Sequence, residues 1–138
     1  MSYAAQTTRY LENEVLTRTP EWLVPLLYEH LLTHLRRALV QIENRDLEGR
    51  ASSLQKASDI VAELLCTLDR EQGGQIAESL ASLYAYFALE LLNVGRSNGV
   101  GSLPRLIELV SELHEAWVEA AEQVAPRGGR SALAPTAA

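Results

Sequence analysis

The chain has 138 residues, a length typical of one compact domain that can bury a core without disulfides or metals. Its 18 acidic and 12 basic residues give a net charge of −6, which argues against phosphate-backbone attraction and so against nucleic acid as a partner. Hydrophobic residues make up 47% of the chain and aromatic residues only 6%, a composition that favours helices over sheets and excludes disorder of the whole chain.

An N-terminal arm precedes the first predicted helix. Residues 1–18 are polar and show no sustained periodicity, so we expect a mobile arm. The stretch Thr19-Pro20-Glu21 then combines an N-cap residue, a proline suited to the first helical position and an acid favoured by the helix dipole. It predicts a first helix over 20–44. Pro25 predicts a kink or a looser first turn, because proline removes a backbone donor and crowds the preceding turn.

Apolar residues spaced three and four apart continue through the next two predicted helices. Asp46 is expected to cap the second helix, over 47–70, and Gly73-Gly74 separates that helix from a third over 75–95. The predicted core-facing seam of the second helix consists of Leu47, Ala51, Leu54, Ser58, Val61, Leu65 and Leu68. The third helix is apolar on two faces, so it is either central or covered by another element. Its second face consists of Ala77, Ala81, Tyr84, Ala88 and Leu92.

A fourth helix completes the predicted domain. Ser102 can cap a helix over 103–124, whereas residues 126–138 are rich in Gly, Pro and Ala and predict a flexible, disordered tail. Short connections make consecutive helices antiparallel neighbours. The sequence therefore predicts an all-α fold, an antiparallel four-helix bundle over 19–125.

The sequence carries little that is typical of an enzyme. His30 and His34 are four residues apart, but two ligands without a third are weak support for a metal site. His34 with Arg37 resembles a phosphotransfer histidine only in outline. No Gly-x-Ser-x-Gly elbow, Walker-type phosphate loop or dinucleotide fingerprint occurs. We therefore expect no catalysis, no metal and no cofactor.

The sequence also indicates a cellular compartment. Its beginning lacks the basic start and apolar run of a signal peptide, and no run of about 18 apolar residues occurs, so we expect a cytoplasmic protein with no inserted segment. Cys66 is the one cysteine and lies in an apolar helical run, where it is expected to act as a small hydrophobe.

Apolar residues exceed what four packed helices need, chiefly on the third helix and in the arm. Tyr84, Tyr86 and Phe87 are therefore open to two interpretations, as core aromatics or as part of a groove that receives a partner helix.

An ordered set of short motifs runs from Tyr10 to about Ala121. The motifs are Tyr10 and Val15 in the arm, Thr19-Pro20-Glu21 and Leu26-Leu27-Tyr28-Glu29 at the first helix, Lys56-Ala57-Ser58-Asp59-Ile60 in the second, Leu68-Asp69, Gly73-Gly74, Ile76-Ala77, Leu80 and Leu83-Tyr84 at the third, and Glu115-Ala116-Trp117 in the fourth. In this order and spacing they resemble the FliS family of flagellar export chaperones.

The resemblance implies a function and partners. A member of this family binds the disordered C-terminal segment of newly made flagellin, prevents its premature polymerisation in the cytoplasm and delivers it to the flagellar type III export apparatus. The alternatives are another helical secretion chaperone or adaptor and, behind it, a histidine phosphotransfer bundle. A homodimer formed by exchange of the arm stays open.

The resemblance also implies where the arm and the client bind. In the family the arm covers part of the client surface of the empty chaperone, so we expect Tyr10, Val15 and Leu16 to dock on the bundle and to be displaced by the client. The other candidates for client binding or arm docking are Leu27, Tyr28, Leu31, Ala57, Ile60, Leu64, Tyr84, Tyr86 and Phe87.

Overall fold

The computed structural model describes the backbone of residues 20–137 and the side chains of residues 21–124. This part of the chain is all-α and contains no strand, which confirms the predicted fold class. Its elements are a 3-10 turn at Pro20–Trp22 and the helices α1 (Leu23–Glu43), α2 (Leu47–Cys66), α3 (Arg70–Arg96) and α4 (Leu103–Ala137). The predicted arm, residues 1–18, lies outside the described residues.

The four helices form an antiparallel bundle because each connection is only a few residues long. Helix α1 packs most extensively on α2 and also on α4, while α3 packs on α2 and only sparsely on α4. All four helices contribute side chains that are fully buried, among them Leu35 of α1, Leu64 of α2, Phe87 of α3 and Val110 of α4. The core is therefore continuous across the bundle.

The first turn of α1 accommodates its proline. The 3-10 turn precedes the α-helix, and Trp22 occupies the N-cap position without a side-chain hydrogen bond. Pro25 is then the third residue of α1, where a backbone N–H would have no intrahelical acceptor, so no helix hydrogen bond is lost. The predicted looser start corresponds to the 3-10 turn, and Pro25 itself is buried.

Helix α2 is capped at both ends by the residues that flank it. Oδ1 of Asp46 accepts a hydrogen bond from the backbone N–H of Gly49 at 2.9 Å, as expected of an N-cap. At the other end, the hydroxyl of Thr67 donates to the carbonyl of Leu64 at 2.7 Å. Thr67 is the C-cap, and α2 ends at Cys66 rather than at the predicted residue 70.

Helix α3 begins before the glycine pair instead of after it. Oδ1 of Asp69 accepts from the backbone N–H groups of Glu71 and Gln72 at 3.1 and 3.0 Å, which caps a helical turn from Arg70. Gly74 then adopts φ 52° and ψ −124°, values that favour glycine, and the chain kinks and continues as helix. The predicted start at residue 75 corresponds to the helix after this kink.

Helix α4 continues further than its sequence pattern indicates. Its backbone is helical to Ala137, beyond the predicted end at residue 124. The flexible, disordered tail expected over 126–138 stays a prediction. Side chains from residue 125 onward lie outside the described residues. The predicted cap, Ser102, donates its hydroxyl to the carboxylate of Glu90 in α3.

The seam predicted for α2 faces the core only in part. Leu54 and Val61 are buried, but Leu47 and Leu65 are 71% and 40% exposed. The buried face of α2 instead includes Ala57, Ile60 and Leu64, which flank the predicted seam. Helix α2 is thus rotated about its axis relative to the prediction, and part of an apolar row faces outward.

Candidate functional site

Most of the sequence-derived candidate residues lie in the core. Eight of them are at most 5% exposed: Leu27, Tyr28, Leu31, Ala57, Ile60, Leu64, Tyr84 and Phe87. Tyr86 differs, with 42% of its surface exposed. The arm candidates Tyr10, Val15 and Leu16 lie outside the described residues. These eight side chains are buried within the chain, and their part in client binding or arm docking stays a prediction.

Aromatic residues link three of the helices at the centre of the bundle. The hydroxyl of Tyr28 in α1 donates to that of Tyr84 in α3 at 3.1 Å. The ring of Tyr28 lies 6.4 Å from both Tyr84 and Trp117 of α4, and Phe87 is 6.0 Å from Tyr84. Burial raises the pKa of both tyrosines above the usual value near 10, so both phenols are neutral at physiological pH. This cluster supports packing rather than chemistry.

His34 is a buried neutral imidazole rather than an exposed reactive group. It is 6% exposed, and its Nδ1 has no hydrogen-bond partner. Burial, together with the positive charges of Arg37, Lys56 and His30, lowers its pKa to about 4. A phosphotransfer histidine must be exposed, so His34 does not suit that role. Among the described residues, no three His, Cys, Asp or Glu side chains are grouped to hold a metal.

A groove of about 540 Å³ runs along the surface between α2 and α3. We call it the α2–α3 groove. Its apolar walls include Leu47 and Leu54 of α2 and Leu92 of α3. Leu47 is 71% and Leu92 50% exposed, so part of this apolar lining faces solvent.

Small residues make the α2–α3 groove smooth. Ala51 of α2 and Ala88 and Gly95 of α3 line it without long side chains. A Cβ atom at Gly95 would lie 4.0 Å from Cδ1 of Leu54, so the two walls come close to van der Waals contact at this end. A smooth apolar trough between two helices is suited to an amphipathic partner helix, which buries its own apolar face there.

Arg50 joins the two walls of the α2–α3 groove. Its Nη2 donates to the carbonyl oxygens of Val94, Gly95 and Ser97 at 2.7, 3.0 and 2.7 Å. These carbonyls lie at the end of α3, where the last residues of a helix have no intrahelical donors and carry partial negative charge. An α2 side chain therefore caps α3 and fixes the spacing of the groove walls.

A second apolar hollow lies further towards the start of α3. It has a volume of about 390 Å³ and is lined by Ile76, Leu80 and Leu83 with the polar side chains of Gln75 and Ser79. Ile76 is 72% exposed. Helix α3 thus presents one apolar surface at each end, and the two are separate.

The apolar spacing of α2 contains the signal for the α2–α3 groove, although this spacing predicts a seam that faces the core. Leu47, Ala51, Leu54 and Ser58 all line the groove, and of these only Leu54 is also part of the core. The second apolar face predicted on the third helix supplies Ala88 and Leu92 to the opposite wall.

Comparisons with known proteins agree on one family. The family model described as "Flagellar protein FliS" matches residues 1–124. The protein from Campylobacter jejuni named "Flagellar secretion chaperone FliS" is 34% identical over 111 residues, covering 80% of this chain and 86% of the relative. Relatives with the same name from Bacillus subtilis and Salmonella typhimurium are 34% and 30% identical, covering 82% and 85% of this chain and 84% of each relative.

No helix in the described part of the chain has the length and apolarity needed to cross a membrane. The match over residues 1–124, the identities to curated relatives and the four-helix bundle agree with one another. The chain belongs to the FliS family of flagellar secretion chaperones.

Proposed function

We propose that this chain binds the disordered C-terminal segment of flagellin in the cytoplasm, prevents its premature polymerisation and delivers it to the flagellar type III export apparatus. The observation that carries the proposal is the open apolar α2–α3 groove, in a chain whose relatives bear the name "Flagellar secretion chaperone FliS". A groove of this kind hides the apolar face of a client helix that would otherwise associate with other copies.

The physical chemistry of the client supports this role. A disordered segment loses conformational entropy when it orders on binding, so it binds with lower affinity for each unit of interface area than a preformed partner does. It can nevertheless wrap a large surface of its partner. The α2–α3 groove and the hollow at Ile76 provide two separate apolar contacts along α3. Holding a segment in this way requires neither nucleotide nor metal.

We propose that the arm covers part of the client-binding surface and is displaced by the client. Tyr10, Val15 and Leu16 dock on the bundle of the empty chaperone and are released when the client binds. Hydrogen exchange of the arm measures this directly, since its protection should fall when client is added. Protection that stays constant as the client saturates the chaperone would exclude the displacement.

Co-purification with flagellin from the same cell tests the function. The chain should capture intact flagellin but not a version that lacks the C-terminal segment. Failure to capture either form, with the bundle folded, would contradict the assignment of flagellin and favour another client or adaptor role.

A pair of matched substitutions tests the site. Leu92→Asp places a charge on the wall of the α2–α3 groove, where Leu92 is 50% exposed. Val40→Asp makes the same change on α1, where Val40 is 53% exposed and lines neither apolar surface. Leu92→Asp should abolish capture and Val40→Asp should leave it unchanged. Equal capture by both variants would place the client elsewhere.

A further inference from the structure

The charge of the α2–α3 groove is opposite to that of the whole chain. Its lining contains two arginines, Arg50 and Arg96, and no acidic residue, although the chain has a net charge of −6. An apolar lining alone would accept any amphipathic helix. Two arginines on a largely apolar surface of a negatively charged chain indicate a partner whose apolar face is accompanied by negative charge.

The two arginines have different roles. Arg50 donates to three carbonyl oxygens at the end of α3, so its guanidinium is engaged within the bundle. Arg96 is exposed in the last turn of α3, and it makes no hydrogen bond or ion pair with any residue in the described part of the chain. Arg96 is therefore the cation that remains for a partner.

The position of Arg96 gives the groove a direction. Helices α2 and α3 are antiparallel, so Leu47, Gly95 and Arg96 lie at one end of the groove, while Ser58 and Ala88 lie at the other. A guanidinium binds a carboxylate with two parallel hydrogen bonds. A partner helix with a carboxylate side chain near one end would bind in the orientation that brings it to Arg96.

We infer that the α2–α3 groove selects an amphipathic helix with an acidic side chain beside its apolar face, and that Arg96 binds this carboxylate and sets the direction of the bound helix. The inference rests on the proposed function, because the helix is part of the flagellin C-terminal segment. Apolar contacts supply most of the affinity, and the exposed ion pair supplies orientation and a salt-dependent increment.

A charge reversal with a matched control tests the inference. Binding of a peptide with the sequence of the flagellin C-terminal segment is measured by calorimetry on the full chain at low and high salt. Arg96→Glu should weaken binding about threefold to tenfold at low salt, and the difference should shrink at high salt. Arg36→Glu, the same change at an exposed site on α1 outside the groove, should change the affinity less than about twofold.

A compensating charge change in the peptide tests whether Arg96 contacts its acidic residue directly. A peptide whose acidic residue next to the apolar face is replaced by lysine should bind Arg96→Glu more tightly than the unaltered peptide does. Thermal unfolding verifies that each variant is folded, and Arg96→Gln provides a second variant that adds no negative charge.

Two results distinguish a failure of the Arg96 contact from a failure of the proposed function. Equal affinities of Arg96→Glu and Arg36→Glu, with Leu92→Asp still abolishing binding, would overturn the role of Arg96 and keep the groove. An unaltered chain that does not bind the peptide would overturn the proposed function as well.

Discussion

The aromatic cluster and the α2–α3 groove are both apolar, but they differ in what surrounds them. Tyr28, Tyr84 and Phe87 are at most 1% exposed, and Tyr28 of α1 contacts Tyr84 of α3 and Trp117 of α4. The groove residues Leu47 and Leu92 are at least half exposed and face solvent. Apolar side chains therefore stabilise the bundle in one place and leave surface for a partner in the other, and substitutions should separate the two.

The largest effect on stability is expected in the aromatic cluster. Phe87→Ala removes a fully buried ring and leaves a cavity, so it should lower the free energy of unfolding by about 4 kcal/mol. Tyr86→Ala is the control, because the neighbouring ring is 42% exposed and should cost far less. Urea unfolding of both variants measures the difference. Similar losses would mean that the two aromatic sites are not distinguished by burial.

Arg50 is where the two regions overlap, because it lines the groove and also caps α3. Arg50→Ala removes three hydrogen bonds from a charged donor and should lower the free energy of unfolding by about 2 to 3 kcal/mol. It should also weaken client binding, since the wall at α3 loses its anchor. Chemical denaturation measures the first effect, with Arg36→Ala as the exposed control. An unchanged unfolding midpoint would show that the cap is not needed.

His34 should make the stability of the core depend on pH. Its pKa is about 4 in the folded chain, against about 6.5 when unfolded. The unfolded state binds more protons between these values, so stability is full above pH 6.5 and falls as the pH drops towards 4, by about 2 kcal/mol at pH 5. Carboxylates also titrate near the lower limit of this pH range. The His34→Leu variant separates the contribution of the histidine from theirs. The variant should lose less stability from pH 7 to 5 than the unaltered chain; equal losses would refute the assignment.

The smallest effect on stability is expected in the α2–α3 groove. Leu92→Asp changes a half-exposed side chain, so the free energy of unfolding should fall by only about 1 kcal/mol, although client binding should be lost. Thermal unfolding beside the capture experiment measures both. A loss of stability as large as that of Phe87→Ala would mean that Leu92 stabilises the bundle as a core residue does, and the two regions would then not be distinct.

The sequence predicted the bundle well because helix signals are local. The Asp46 cap and the spacing of Leu31, Leu35 and Ala38 depend on residues within one or two turns. The glycine pair predicts a break before α3, whereas Gly74 adopts a positive φ and lets the helix continue after a kink, so α3 starts earlier than predicted.

The site was harder to predict, since a spacing of three and four residues marks a helix face without saying what covers it. Tyr28 and Ile60 belong to such a face and are covered by other helices, while Leu47 and Ala51 belong to another and are not. The α2–α3 groove combines residues from two segments about 40 positions apart, and its width depends on small side chains such as Gly95. Only the packing of the helices reveals which apolar row remains open.

The contact of Arg50 with the end of α3 bears on the kinetics of client capture. Three hydrogen bonds hold both walls of the α2–α3 groove in place without a client. A preformed groove has no opening step, so the conformational entropy lost on binding comes mainly from the client segment. Encounter and ordering of the segment, rather than rearrangement of the bundle, should then limit the association rate.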